Sequence, residues 1–178
     1  MNSEQKTAMK REVAVILHNI RSAHNVGSIL RTADASGVSH VYLSGYTPLP
    51  RDRFERINKN IAKTALGAEK FVPWSHARGP FKLVSMLKKR AWHVVGVEQD
   101  PRARNYRMFK AKGPTVFVFG NEVRGLSANL RKACDSLVEI PMHGALVRQA
   151  HHPRHTGRGK ESLNVSVAAG IILFSCVS

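Results

Sequence analysis

Three stretches of this chain place polar side chains where an apolar run breaks off. In "HNIRSAHNVGSILR", Asn19, Arg21, Asn25 and Arg31 follow a run of apolar residues. In "FGNEVRGLS", Gly120 leads into Asn121, Glu122, Arg124 and Gly125. The third, "EIPMHG", is followed after a basic loop by "SLNVSVAAG", where Ser162, Asn164 and Ser166 precede an apolar helix pattern. Amides, hydroxyls, a carboxylate and a guanidinium at such points can orient a ligand and steady charge. Open α/β sheets bind ligands at the carboxyl ends of their strands, which is where these residues would fall. Gly120 would let backbone approach a flat ligand closely, and exposed peptide groups can read an adenine edge. Each stretch also has a purely structural reading: Asn25 as a helix cap and Arg31 as a surface charge, Glu122 as a first-turn carboxylate, Ser162 as an N-cap.

Several other chemistries lack their signatures. Gly120 and Gly125 are spaced as in a phosphate-binding loop, but Leu126 stands where lysine is needed, and "TGRGKES" lacks the earlier glycine. No GxGxxG follows the first apolar run and no serine-hydrolase elbow occurs. Cys134 and Cys176 fit no metal spacing, so buried, reduced thiols are expected and no structural metal.

The elements that would position these residues follow from period and punctuation. "VAVILHNI" reads as a buried strand and residues 26–38 as a helix stopped by Gly37. "HVYLSG" is a strand, "FERINKNIAKTAL" a helix closed by Gly67, "KFVPW" a short strand, and "GPFKLVSMLKKR" a helix with proline in its first turn. "AWHVVGVE" and "TVFVFG" suit central parallel strands, "SANLRKACD" a helix capped by Ser127, and "SLVEIP" a last strand. This alternation predicts an α/β fold over residues 1–178, a mostly parallel sheet with helices on both faces.

Charge names the class of partner. Twenty-eight Lys and Arg against twelve Asp and Glu give a formal +16, a field that attracts polyanions, nucleic acid first. No apolar stretch is long enough to span a bilayer and the N-terminus lacks a signal-peptide core, so a cytoplasmic protein is expected.

Taken together, "NIRSAHNVGSILRTADASGV", "FVFGNEVRGLS" and "IPMHG" continued by "ESLNVSVAAGIILF" resemble the signature motifs of the SpoU/TrmH branch of the SPOUT superfamily, the trefoil-knot RNA methyltransferases. The likeness runs over residues 13–178, with "KTALGAE" and "VGVEQD" in supporting places. It implies a C-terminal deep trefoil knot, a homodimer, and transfer of a methyl group from S-adenosylmethionine to a ribose 2'-hydroxyl of tRNA or rRNA, without a metal. A non-catalytic knotted RNA-binding dimer and a base-directed methyltransferase are the alternatives. By resemblance Arg31 matches the arginine assigned to hydroxyl activation, as proton acceptor or as electrostatic clamp. Asn25 would position it, and Glu122 and Asn164 would shape the catalytic edge. The donor pocket would be formed by Val97, Gly120, Ile140, Met142, Ser162 and Leu163, with Asn164 also facing it. Arg21, Arg51, Arg53 and Arg56, with Arg124, would hold RNA through its phosphates, so binding should weaken as salt rises.

The sequence departs from the family pattern at one place. Residues 146–160, within "ALVRQAHHPRHTGRGK", separate two halves of the third motif. The insertion is expected to be an RNA-binding flap, a regulatory lid, or a disruption of the pocket. His151, His152 and His155 within it read as a solvated cluster rather than metal ligands.

Overall fold

The structure is a computed structural model that describes residues 12–143 and 162–177. Seven strands form one sheet in the order β3-β2-β1-β6-β4-β7-β5, every neighbouring pair parallel. These are β1 (Val13–His18), β2 (His40–Ser44), β3 (Trp74–Ala77), β4 (His93–Val97), β5 (Arg104–Asn105), β6 (Thr115–Phe119) and β7 (Ser136–Glu139). The helices are α1 (Ala23–Ser36), α2 (Lys59–Ala65), α3 (Pro80–Lys89), α4 (Ala128–Ala133) and α5 (Val165–Val177).

Alternation along the strands sorts the core onto two faces. Val13, Val15 and Leu17 of β1 join Phe117 and Phe119 of β6 beneath α1, α2 and α5. Ala14 and Ile16 join Val116 and Val118 beneath α3 and α4. Successive strand residues point to opposite faces, so a strand buried on both reads as an unbroken apolar run. Each fully buried Leu, Ile or Phe contributes about 1.5–3 kcal/mol of transfer free energy. Both thiols fit this packing. Cys176 is buried, Cys134 is partly so, and burial pushes each up to about 11, which leaves them unreactive at neutral pH.

The expected fold class holds, with local corrections. α2 starts at Lys59 rather than Phe54, because side chains compete for the backbone before it. Asp52 accepts from the N–H groups of Phe54 and Arg56, and Asn58 caps the helix. The helix closes at Leu66, itself left-handed at φ 52°, just before Gly67. The strand expected at "KFVPW" lies later, at Trp74–Ala77, since pairing with β2 selects that segment and residues 68–70 form a 3-10 turn. β5 gave no pattern to read: two residues are too few to show a period. The trefoil knot and the histidine-rich insertion both depend on residues 144–161, outside the described residues. No helix among the described residues is long and apolar enough to cross a membrane.

Candidate active site

The sheet changes winding direction between β1 and β6, which lie side by side although β1 leads to β2 on its other flank. Such a switch point opens a crevice beyond the strands' carboxyl ends. The turn after β6 fills one side of it. Asn121 is 8% exposed, and its Oδ1 accepts from the N–H groups of Val123 (2.9 Å) and Arg124 (2.8 Å). Its Nδ2 donates to the Asn19 carbonyl and to Tyr46 Oη, each at 3.0 Å. Gly125, at φ 63°, turns the chain back so that Leu126 N–H reaches Glu98 Oε2 at 2.6 Å. Asn121 and Glu98 thus build the loop; the sequence offers Asn121 only as a polar group near a ligand and Glu98 only within "VGVEQD". Their signal was weak, since each stands beside other polar residues at its strand end.

Gly120 also serves a contact beyond the one expected of it. A Cβ there would lie 2.5 Å from the carbonyl carbon of Gly125 and 2.7 Å from Leu126 N. The returning backbone of the loop fills the space. Gly120→Ala should therefore cost about 1–3 kcal/mol by overpacking, read in denaturant unfolding. Wild-type stability in that variant would mean that the loop shifts freely.

Glu122 joins this loop to the start of α1. Its Oε2 accepts from Arg21 N–H at 2.9 Å, and its Oε1 from Ser22 N–H at 3.1 Å and Asn25 Nδ2 at 3.0 Å. Burial pushes the carboxyl up. Hydrogen bonds from the N–H groups of Arg21, Glu122 itself and Ser22, and from the Asn25 amide, outweigh burial and hold it below its ordinary value. The charge also lies at the positive end of α1 rather than in its own helix. Ser22, not Asn25, caps α1, its side chain accepting from Asn25 N–H. That leaves the Asn25 side chain free to bridge.

The bridge continues into the third segment. Asn164 Nδ2 donates to Asn25 Oδ1 at 3.2 Å, while Asn164 Oδ1 accepts from Ser166 N–H (2.8 Å) and Oγ (2.7 Å). Asn164, rather than Ser162, therefore caps α5. Glu122, Asn25 and Asn164 form one hydrogen-bonded chain across residues far apart in sequence. Arg31 does not join it. It is exposed on α1, six residues and about 9 Å of helix rise beyond Asn25. Among the described residues it makes no hydrogen bond or ion pair with Glu122 or Asn164.

Next to this chain lies a cavity of about 210 Å³. All six residues expected to surround a donor line it: Val97, Gly120, Ile140, Met142, Ser162 and Leu163. Glu122 and Arg124 also line it, as do Glu98 and Glu139; Asn164, expected to face it, does not and turns instead to Asn25. Gln99 Nε2 donates to the Ile140 carbonyl at 2.8 Å and ties the ends of β4 and β7 together at the rim. Among the arginines expected on RNA, Arg51 pairs with Glu55 (3.3 Å) and Arg56 with Asp52 (2.7 Å), while Arg53 lies over the Phe54 ring. Arg21 is exposed, and it is its backbone N–H that holds Glu122.

An all-parallel sheet in which the carboxyl ends of β4, β6 and β7 and the C-terminal helix wall a cavity defines a ligand-binding α/β domain. Its lineage is narrower: the chain belongs to the SpoU rRNA methylase family, whose model matches residues 12–147. It is 35% identical over 163 residues to the 23S rRNA (guanosine-2'-O-)-methyltransferase RlmB of Ralstonia nicotianae, covering 92% of this chain and 57% of that protein. Among solved structures it resembles an AdoMet-bound rRNA methyltransferase from Sinorhizobium meliloti, with a TM-score of 0.76 and 27% identity over 94% of this chain and 56% of that one. It also resembles the A. aeolicus TrmH/SpoU tRNA modifying enzyme, with a TM-score of 0.74 and 28% identity over 96% and 76% of the two chains. The chain spans less than two thirds of the length of the first curated relatives it matches.

Proposed function

We propose that this chain binds S-adenosylmethionine in the cavity beneath α5 and directs its methyl group to a ribose 2'-hydroxyl of tRNA or rRNA, acting in the cytoplasm as a homodimer. The observation that carries this reading is the Glu122–Asn25–Asn164 chain, which joins three polar segments beside one cavity. The lining suits that donor. Val97, Ile140 and Leu163 give apolar surface for a flat base, while the carboxylates Glu98, Glu122 and Glu139 outnumber Arg124 and favour a cationic ligand in an otherwise basic protein. When bound, S-adenosylmethionine supplies an electrophilic methyl group on a positively charged sulfur.

The chain's own residues contribute position and charge. Orientation alone can supply roughly 7–11 kcal/mol of a barrier when reacting groups are aligned. Glu122, held ionised, fixes Asn25. Asn25 and Asn164 set the register between α1 and α5, on which the depth of the pocket depends. Arg31 serves as a clamp on a substrate phosphate or on the 2'-oxygen, and a substrate phosphate oxygen or water takes the hydroxyl proton as the methyl leaves sulfur, because a guanidinium stays charged and offers five donors. Its exposure suits a role completed by RNA or by the second subunit. The dimer reading is supported by α5, which has no charged residue and is apolar all round, with Val167 half-exposed on the side away from the core.

The test is tritiated methyl transfer to total tRNA and to rRNA separately, followed by nuclease digestion to nucleosides. Label on a 2'-O-methyl ribose is expected. Label on a base would replace this reading with the base-directed one, and RNA binding without any label would favour the non-catalytic module.

A further inference from the structure

We propose that Phe54 is a stacking platform for an unpaired base of the substrate RNA, so that the loop closed by Arg51 and Ile57 reads single-stranded nucleotides in addition to phosphate charge. The inference rests on RNA being the substrate. Arg51, Arg53 and Arg56 were expected on RNA phosphates, but Arg51 and Arg56 are each matched by a carboxylate of the same loop, leaving Arg53 as its one cation without an acidic partner among the described residues. What the loop also presents is an aromatic ring.

Phe54 is 61% exposed, with the guanidinium carbons of Arg53 and Arg56 at 4.7 and 5.1 Å from its ring centre. The ring and the two guanidinium planes beside it together form a flat surface reachable from solvent. The backbone beneath it is fixed. Asp52 Oδ1 accepts from the N–H groups of Phe54 (2.8 Å) and Arg56 (3.0 Å), Glu55 takes φ 60°, and an antiparallel bridge between Arg51 and Ile57 closes the loop. A ring on a pre-ordered turn loses little freedom on binding. Unpaired bases stack on aromatic faces and on guanidinium planes, whereas duplex bases are already stacked on one another and offer no free face. The same connection begins at Tyr46, whose hydroxyl accepts from Asn121 beside the cavity, so the platform belongs to a segment anchored at the active site.

The experiment compares wild type with Phe54→Ala, Phe54→Leu, Phe54→Trp and Arg53→Gln in binding two RNAs, a hairpin with an unpaired loop and its stem closed as a blunt duplex, over a salt series. Calorimetry with S-adenosylmethionine checks that each variant is folded. Phe54→Ala and Phe54→Leu should bind the hairpin roughly 10- to 100-fold more weakly, with little change for the duplex and an unchanged slope of log affinity against log salt. Arg53→Gln should instead lower that slope by about one. Phe54→Trp should keep its affinity, and its indole emission should fall when the hairpin is added. Equal affinity of wild type and Phe54→Ala for the hairpin would overturn the proposal alone, as would rescue by leucine. So would a tryptophan emission that follows protein concentration without RNA, which would mark a self-association face. Failure of the wild type to bind either RNA at low salt would overturn it together with the RNA reading.

Discussion

Replacing Arg31 with alanine is expected to lower methyl transfer by about 10²-fold or more while S-adenosylmethionine still binds with wild-type affinity. The expectation follows from where the side chain is and is not. It is absent from the lining of the cavity and from the Glu122–Asn25–Asn164 chain, so its removal disturbs neither. It is exposed on the helix that this chain anchors, with its donors available to RNA. Loss of a single charge-stabilising donor in an enzyme costs on the order of 10²–10³ in rate. Arg31→Lys tests the clamp: a lysine keeps a point charge but cannot grip a phosphate with two parallel hydrogen bonds. A clamp predicts partial activity for lysine, with the defect in kcat. Equal loss of donor affinity and turnover in Arg31→Ala would place the residue in the pocket and contradict the geometry.

Glu122→Ala should have the second large effect, and on both rate and stability. The carboxylate accepts from the N–H groups of Arg21 and Ser22 and from Asn25, and part of it lines the cavity. Hydrogen bonds to a charged group are worth about 1.5–3 kcal/mol, and because Arg21 is exposed, water recovers some of that. A net loss of about 1–2 kcal/mol in denaturant unfolding is expected. Asn25 then loses its fixed orientation, and small misplacements of this kind can cost about 10²-fold in rate. The same group sets a pH dependence. Its folded pKa lies below the ordinary 4.5, so its stabilisation is complete above that value and is lost as pH falls through the lower folded one. Glu122→Gln should therefore melt below the wild type at neutral pH and converge with it in acid. Parallel curves for the two proteins across that range would show that the carboxylate's charge is not what holds α1.

Much of this was legible in the residues, for identifiable reasons. Strands such as "VAVILH" and "TVFVF" read directly because burial on both faces leaves no polar position, and Gly37 and Ser127 marked helix ends through conformations and caps that few other residues supply. The six cavity residues followed from ordered motifs, not from spacing. What escaped was side-chain competition for backbone donors. Asp52 and Asn58 delayed α2, Ser22 displaced Asn25 as a cap, and Asn164 displaced Ser162, because several Ser, Asn and Asp residues stand within reach of the same N–H groups and only the tertiary fold decides among them. Gly120 was read for a ligand contact and not for the returning loop, since nothing local to Gly120 announces Gly125 at 2.5 Å.

Hydrogen–deuterium exchange of the protein with and without S-adenosylmethionine tests the convergence of these segments most directly. Protection is predicted together in three stretches, residues 120–126, 139–142 and 162–168, with α3 unchanged. Protection confined to one of them, or centred on the α3 face, would mean that these three stretches do not enclose a common donor site.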